Sequence, residues 1–342
     1  MNYTVLGAGG AEYGMKNLAL KYGASAALIF VNTNILIYAF VFIVYGVVGA
    51  LPDSSELLDT ASDSGYLLIM ALNEFASYLV PMIVLPLIFR SELTDRRRIP
   101  AFAENSGYKR IFGSAAILFL AGITCAMSMS TVTSYISEIL NTLLGVPETR
   151  TAFSETMPTN VFKYAVFEIC TCIIAPVCEE LIYRHYLLKP LRIYGDITAA
   201  VVPSLLFGLS HFNFDQFLYT FTFGLFLSII AIRTGSVLPS IICHILNNVM
   251  VGLNVYMPET FGSDAVDAFF GAAADVCALA TGLSYIAGWI ALILVVVLRL
   301  YKLRGSTGEL PAKRQFFLIF TNPLMTVSIV LMLAVTFMKL YR

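Results

Sequence analysis

The sequence predicts an all-α fold, a polytopic transmembrane helical bundle with eight or nine spans. Three observations point to it. Hydrophobic residues make up 58% of the 342 and charged residues only 13%, with a mean hydropathy of +0.80, whereas a soluble domain carries about a quarter charged residues. The apolar residues collect into runs of the roughly 20 residues that a helix needs to cross hydrocarbon. The longest polar stretches, 52–65, 90–110, 134–160 and 301–316, are loop-sized and leave no room for a soluble domain.

Spans 34–51, 66–89 and 111–133 come first and are largely aliphatic and aromatic, with Glu74 the main polar exception. The next, 161–189, follows the stretch MPTN (157–160), which offers a helix start at Thr159 or Asn160, and it stops at Pro190. A helix of about 29 residues is roughly 43 Å long and crosses the bilayer with turns to spare. Segments 198–212, 216–232 and 237–256 follow, then 274–300 and 317–338. All 3 histidines lie between 161 and 256, together with Glu168, Glu179, Glu180, Arg184, Asp215, Asn247 and Asn248. The chain therefore divides into an N-terminal region of about three spans (1–160), a functional core of four helices (161–256) and a C-terminal region of one or two spans (257–342).

Basic residues in short loops favour the cytoplasmic side. With the N-terminus inside, 17 of the 21 Lys and Arg fall on inner segments, leaving Arg150, Lys163, Lys339 and Arg342 outside. A cytoplasmic N-terminus in a multi-pass integral membrane protein is thus expected, and the crossing of the last span is its least secure step. The outer loops are acidic: Asp53, Glu56, Asp59 and Asp63, then Glu138, Glu148 and Glu155, then Glu259, Asp264 and Asp267. No long basic stretch suggests a nucleic-acid partner, and no charged-then-apolar leader with a cleavage site suggests processing at the N-terminus. The 6 cysteines, Cys125, Cys170, Cys172, Cys178, Cys243 and Cys277, lie in or beside apolar spans without CxxC spacing, as buried free thiols do.

The chemistry concentrates around CEELIYRH (178–185). Glu180 and Arg184 are four apart on one helix face and neutralise one another. Glu179 lies about 100° around the helix and has no partner within it. A carboxylate left alone in hydrocarbon is costly, which makes it a functional candidate whose help must come from other helices. Phe207 with His211, and His244 with Asn248, form two more four-residue pairs, each projecting from one face of its own helix. Counting the rise per residue from the inner boundaries places Glu179, His211 and His244 about 15, 20 and 10 Å into the membrane, close enough in depth to share a site. Glu168 precedes Glu179 by eleven residues, near three turns, so it falls on almost the same stripe as a water-lining support or as an interhelical hydrogen bond. Glu74 has no partner to name, and His185 reads as interfacial. Cys178 and Cys243 lack the electropositive setting of a reactive thiol.

The ordered set Glu179-Glu180-x-x-x-Arg184, Phe207-x-x-x-His211 and His244-x-x-x-Asn248 resembles the signature of the CAAX protease and bacteriocin-processing family of intramembrane proteases (CPBP, or Abi), which includes the Rce1-type prenyl-protein endopeptidases. The likeness covers roughly 160–256 and implies an Rce1-like core. It implies Glu179 as general base, His211 as the residue that holds the attacking water, and His244 and Asn248 as donors to the oxyanion. Glu180, Arg184 and Phe207 would support them. A carboxylate in a low-dielectric pocket suits a base, and preorganised donors suit a developing oxyanion. Two His and one Glu also make a catalytic zinc set with an open position, so Glu179, His211 and His244 are the ligands if zinc takes part; the water mechanism implied for Rce1-type members needs no cofactor. HExxH, GxGD and GxSG signatures are missing.

The implied substrate is a membrane-associated peptide or protein in the lipid bilayer, either a prenylated CAAX-like C-terminus or a leader or signalling peptide. Two other readings compete. A non-catalytic immunity or scaffolding protein of the same family would use the polar core structurally. A proton-coupled transporter also carries intramembrane Glu and His, but the polar groups cluster in one place and the halves show no inverted repeat.

Overall fold

The computed structural model describes residues 8–51, 54–94, 108–144, 157–262, 272–303, 305 and 310–340. Of the charges bearing on orientation, Asp53, Arg96, Arg97, Arg98, Glu148, Arg150, Glu155, Asp264, Asp267, Arg304 and Arg342 lie outside the described residues. Among the described residues there are helices and no strands. α1 runs through Ala8–Val31, a π turn at Asn32–Leu36 and Ile37–Gly49; α2 is Asp63–Ile88 and α3 is Tyr108–Leu144. α4 spans Val161–Leu191, followed by α5 (Asp196–Leu209), α6 (Phe214–Thr234) and α7 (Leu238–Val251). The last three are α8 (Ala272–Val297), α9 (Ala312–Phe320) and α10 (Pro323–Leu340).

Six of the described helices are long and apolar enough to cross a membrane, or 7 if α9 and α10, bent by 74°, count as one span. The eight or nine spans expected from hydropathy are approximate: α8 has 26 residues but is described in full only from Gly282 onward, and α5 is short. α5 has 14 residues, about 21 Å, against a hydrocarbon core of about 30 Å. The start of the first span also moves. Hydropathy places it at 34, whereas α1 is helical from Ala8, and its first half is buried through Met15, Leu18, Tyr22, Ala26 and Ile29 against Leu187, Leu191 and Tyr194. The second half exposes Ile35, Tyr38, Phe42, Ile43 and Val47, the surface that lipid would cover.

Two buried clusters hold the bundle. One joins α1 to the end of α4, to α5 and to α9 and α10; the other joins α3 to α6, α7 and α8 through Leu118, Phe223, Leu227, Ile230 and Cys243. The motif helices lie between them. α4 begins as the sequence suggests: Asn160 caps it, its side-chain oxygen accepting from the backbone N–H of Lys163 at 2.8 Å. α6 ends at Gly235, whose φ of 75° is the left-handed conformation that glycine adopts without cost.

Two π turns, Ile169–Ile174 and Leu181–Leu187, flank the short α-helical stretch Ala175–Glu180 that carries both adjacent glutamates. The first has a local cause. The N–H of Ala175 bonds to the carbonyl of Cys170, five residues back. Pro176 has no N–H to offer. The carbonyl of Thr171 is thereby left without its usual partner within the helix, and it is satisfied from α7 instead.

Candidate active site

Glu180 sits at the bottom of the site. Its side chain and that of Arg184 are both 0% exposed, and Oε1 meets Nη1 at 2.8 Å. Arg184 also donates from Nη2 to the carbonyl of Gly224 at 3.2 Å and lies 4.7 Å from the ring centre of Phe207. The approach is close enough that a Cβ at Gly224 would come within 3.1 Å of Nη2 and 3.0 Å of the Phe207 ring, so glycine is the residue that fits there. Paired, hydrogen-bonded and stacked, the two charges are kept in a place that excludes water.

His244 joins this anchor to the neighbouring acid. Its Nδ1 lies 3.0 Å from Glu180 Oε1 and its Nε2 lies 3.7 Å from Glu179 Oε2. An ionised carboxylate only accepts, so Nδ1 donates to Glu180 and Nε2 faces Glu179. The side chain of Glu179 is 18% exposed, unlike that of Glu180. Its other oxygen accepts a hydrogen bond from the Tyr78 hydroxyl on α2 at 3.0 Å.

His211 stands just beyond the last turn of α5. Its Nδ1 is 2.8 Å from the carbonyl of Phe207, which can only accept, so Nδ1 carries the proton and Nε2 presents a lone pair. Neither nitrogen is within ion-pair distance of Glu179, although the two groups are close enough to interact electrostatically. Phe207 touches everything around it: ring centres lie 4.9 Å from His211, 5.7 Å from His244 and 5.1 Å from Tyr183. The turn is fixed by the Tyr183 hydroxyl, which donates to Ser210 at 2.8 Å, and by Phe212, buried at a φ of 48° that a bulky residue rarely adopts.

Asn248 completes the set. Its amide nitrogen donates to the orphaned carbonyl of Thr171 at 2.8 Å, while its oxygen accepts from Asn247 at 3.1 Å. Asn247 in turn accepts from the Tyr219 hydroxyl at 2.8 Å. The chain from Tyr219 fixes which way the Asn248 amide points and leaves one of its two N–H groups uncommitted.

Sequence reasoning named Glu179, Glu180, Arg184, Phe207, His211, His244 and Asn248, and it missed Tyr78, Thr171, Pro176, Tyr219 and Asn247 as their supports. A signal existed for Tyr78, which stands four residues after Glu74, the polar exception of its span. Glu168 does not share the Glu179 stripe. The π turn between them takes up one extra residue and rotates the rest of the helix by about 100°, and the Glu168 carboxylate rests against Gly252 and Cys172, whose thiol lies 3.0 Å from it. His185 packs edge-on to Tyr186. Cys243 is buried among aliphatic residues, and Cys178 lines an apolar groove of about 490 Å³ between α2 and α4 that also takes in Glu74 and Tyr78. The side chain of Cys277 is outside the described residues, and the other five cysteines are free. Among the described residues no three His, Cys, Asp or Glu side chains gather as metal ligands do.

The helical bundle thus holds a partly accessible carboxylate facing one imidazole, with a second imidazole and an amide oriented on neighbouring helices. Residues 161–250 match the family described as type II CAAX prenyl endopeptidase, Rce1-like. The match covers about a quarter of the chain and supports a CPBP/Rce1-like domain there, of the kind found in CAAX-type intramembrane proteases. Neither the curated proteins nor the solved structures contain a match to the chain.

Proposed function

We propose that the chain is an intramembrane endopeptidase that hydrolyses a peptide bond of a membrane-associated protein or peptide by direct attack of water. Glu179 takes a proton from the water while Nε2 of neutral His211 accepts its second hydrogen, and the hydroxide adds to the scissile carbonyl carbon. The oxyanion is met by the free N–H of Asn248 and by Nε2–H of His244. Because Glu180 already accepts from Nδ1, His244 donates at Nε2 only as the doubly protonated ring. When the tetrahedral intermediate collapses, the carbon–nitrogen bond breaks and protonated Glu179 returns its proton to the departing amine. Glu180, Arg184 and Phe207 hold these groups and touch no substrate.

What carries the reading is His244, with one nitrogen 3.0 Å from the buried anchor and the other 3.7 Å from the accessible acid. That arrangement joins α4 and α7 at a point where a base and an oxyanion donor are both needed. We propose a prenylated, CAAX-like C-terminus as substrate, cut in the cytoplasmic half of the bilayer with the N-terminus of the enzyme inside; a leader or signalling peptide is the alternative. The test is cleavage of a fluorogenic prenylated peptide by purified protein, with and without chelator. Loss of turnover in both Glu179→Ala and His211→Ala, with the wild type resistant to chelator, is expected. Proton-coupled solute flux in proteoliposomes without cleavage would favour transport, and a Glu179→Ala enzyme working near the wild-type rate would end the assignment.

A further inference from the structure

The site is completed from outside the family-matched segment. Tyr78 lies on α2, far before residue 161 in sequence, yet its hydroxyl is 3.0 Å from Glu179 Oε1. The opposite oxygen, Oε2, is the one that faces His244. Thus the two ends of one carboxylate are addressed by different helices, and only Oε2 is turned toward His244.

We propose that Tyr78 is a positioning residue for the reaction: its O–H pins Oε1 of Glu179, so that Oε2 is presented to the water. This rests on the reading of Glu179 as the base. A carboxylate pivoting about its terminal torsion exchanges its two oxygens freely unless one is held, because that torsion is broad and nearly two-fold. A hydrogen bond to an ionised group is among the stronger ones available, and stronger still where water is thin. The phenol ring is rigid and is itself held between α2 and α4, forming part of the groove wall with Glu74, Met82 and Cys178. On Glu179's own helix the Arg184 guanidinium turns to Glu180 and the Gly224 carbonyl instead. Tyr78 thereby does for Glu179 what Arg184 does for Glu180, with a neutral donor in place of a cation.

The experiment is Tyr78→Phe, which removes one oxygen and keeps the ring, read in two ways on the full-length protein. In steady-state cleavage of a prenylated peptide, kcat is expected to fall about 10- to 100-fold, the worth of a hydrogen bond to a charged group, with KM unchanged. In infrared difference spectra, the carboxylate stretching band assigned to Glu179 by its loss in Glu179→Gln is expected to shift in Tyr78→Phe. An unshifted band overturns the proposal, whether or not the protein cleaves peptides, and so does a rise in KM at constant kcat, which would make Tyr78 a substrate contact. A shifted band in a protein without peptidase activity would leave the hydrogen bond standing and remove the reading of Glu179 as a base, so the two failures are distinguishable.

Discussion

Glu179 and Glu180 are neighbours in sequence and opposites in surroundings. Glu180 is wholly buried against a guanidinium and an imidazole, whereas Glu179 keeps 18% of its side chain exposed and meets a phenol and the far side of the same imidazole. One residue of helix, about 100° of rotation, separates the paired acid from the proposed base. The lesson is that burial and a cationic partner separate two adjacent carboxylates: the one fully buried against a guanidinium reads as structural, and the one left partly open is the candidate for chemistry.

The comparison can be broken most forcefully from the anchor side. Arg184→Ala strips Glu180 of its cation in a site without water, and a cost of about 3–5 kcal/mol is expected for one abandoned buried charge. A large fall in melting temperature in detergent checks it; a variant as stable as wild type would mean that Glu180 is not an anchor. On the reagent side, Asn248→Ala is expected to lower kcat by about 10²–10³, as a lost oxyanion donor does, and to cost only about 1–3 kcal/mol of stability through the Thr171 carbonyl it abandons, less than Arg184→Ala. Measuring both quantities on one preparation separates the two regions.

Pro176→Ala sharpens the account of how Asn248 is aimed. It restores an N–H where the helix lacks one and gives the carbonyls near Thr171 a partner of their own. Asn248 then loses its tether, and a fall in kcat of about fivefold is expected, since one net hydrogen bond is worth about 1 kcal/mol. The fold should stay as stable, which circular dichroism melting would test.

The smallest effect belongs to Glu92, beyond the end of α2, and its partner Lys21 on α1. Burial pushes the Glu92 carboxyl up, but the hydrogen bonds it accepts from Lys21 and Ser91 outweigh this and hold it below the usual carboxylate range. A depressed folded pKa means that its contribution is present above about pH 4.3, the unfolded value, and fades as pH falls through the folded one. Glu92→Gln is expected to cost under about 1 kcal/mol at neutral pH and to flatten the stability curve below about pH 4.3. Equal slopes for variant and wild type in acid would contradict the pairing.

Much of this was legible in the sequence because helical phase survives wherever the helix is regular. Glu180 with Arg184, and Phe207 with His211, were placed four residues apart and do meet. Where the period changes, the reading fails. Eleven residues set Glu168 on the Glu179 stripe only for an unbroken α-helix, and the π turn at Ile169–Ile174 removes it. The span count is approximate for a related reason, since hydropathy measures apolar content and not where a helix stops, and α5 ends at Leu209. Tyr78 escaped because a tyrosine in an apolar span looks like packing until a carboxylate from another helix is seen at its hydroxyl.

The most direct test of the division between the two acids is to replace each by glutamine in the full-length protein and follow melting and cleavage of a prenylated peptide together. Glu179→Gln is expected to melt as wild type and to lose cleavage by about 10²–10⁴, the range for a general base, while Glu180→Gln is expected to lose stability first. A Glu179→Gln protein that still turns over at the wild-type rate would contradict the account.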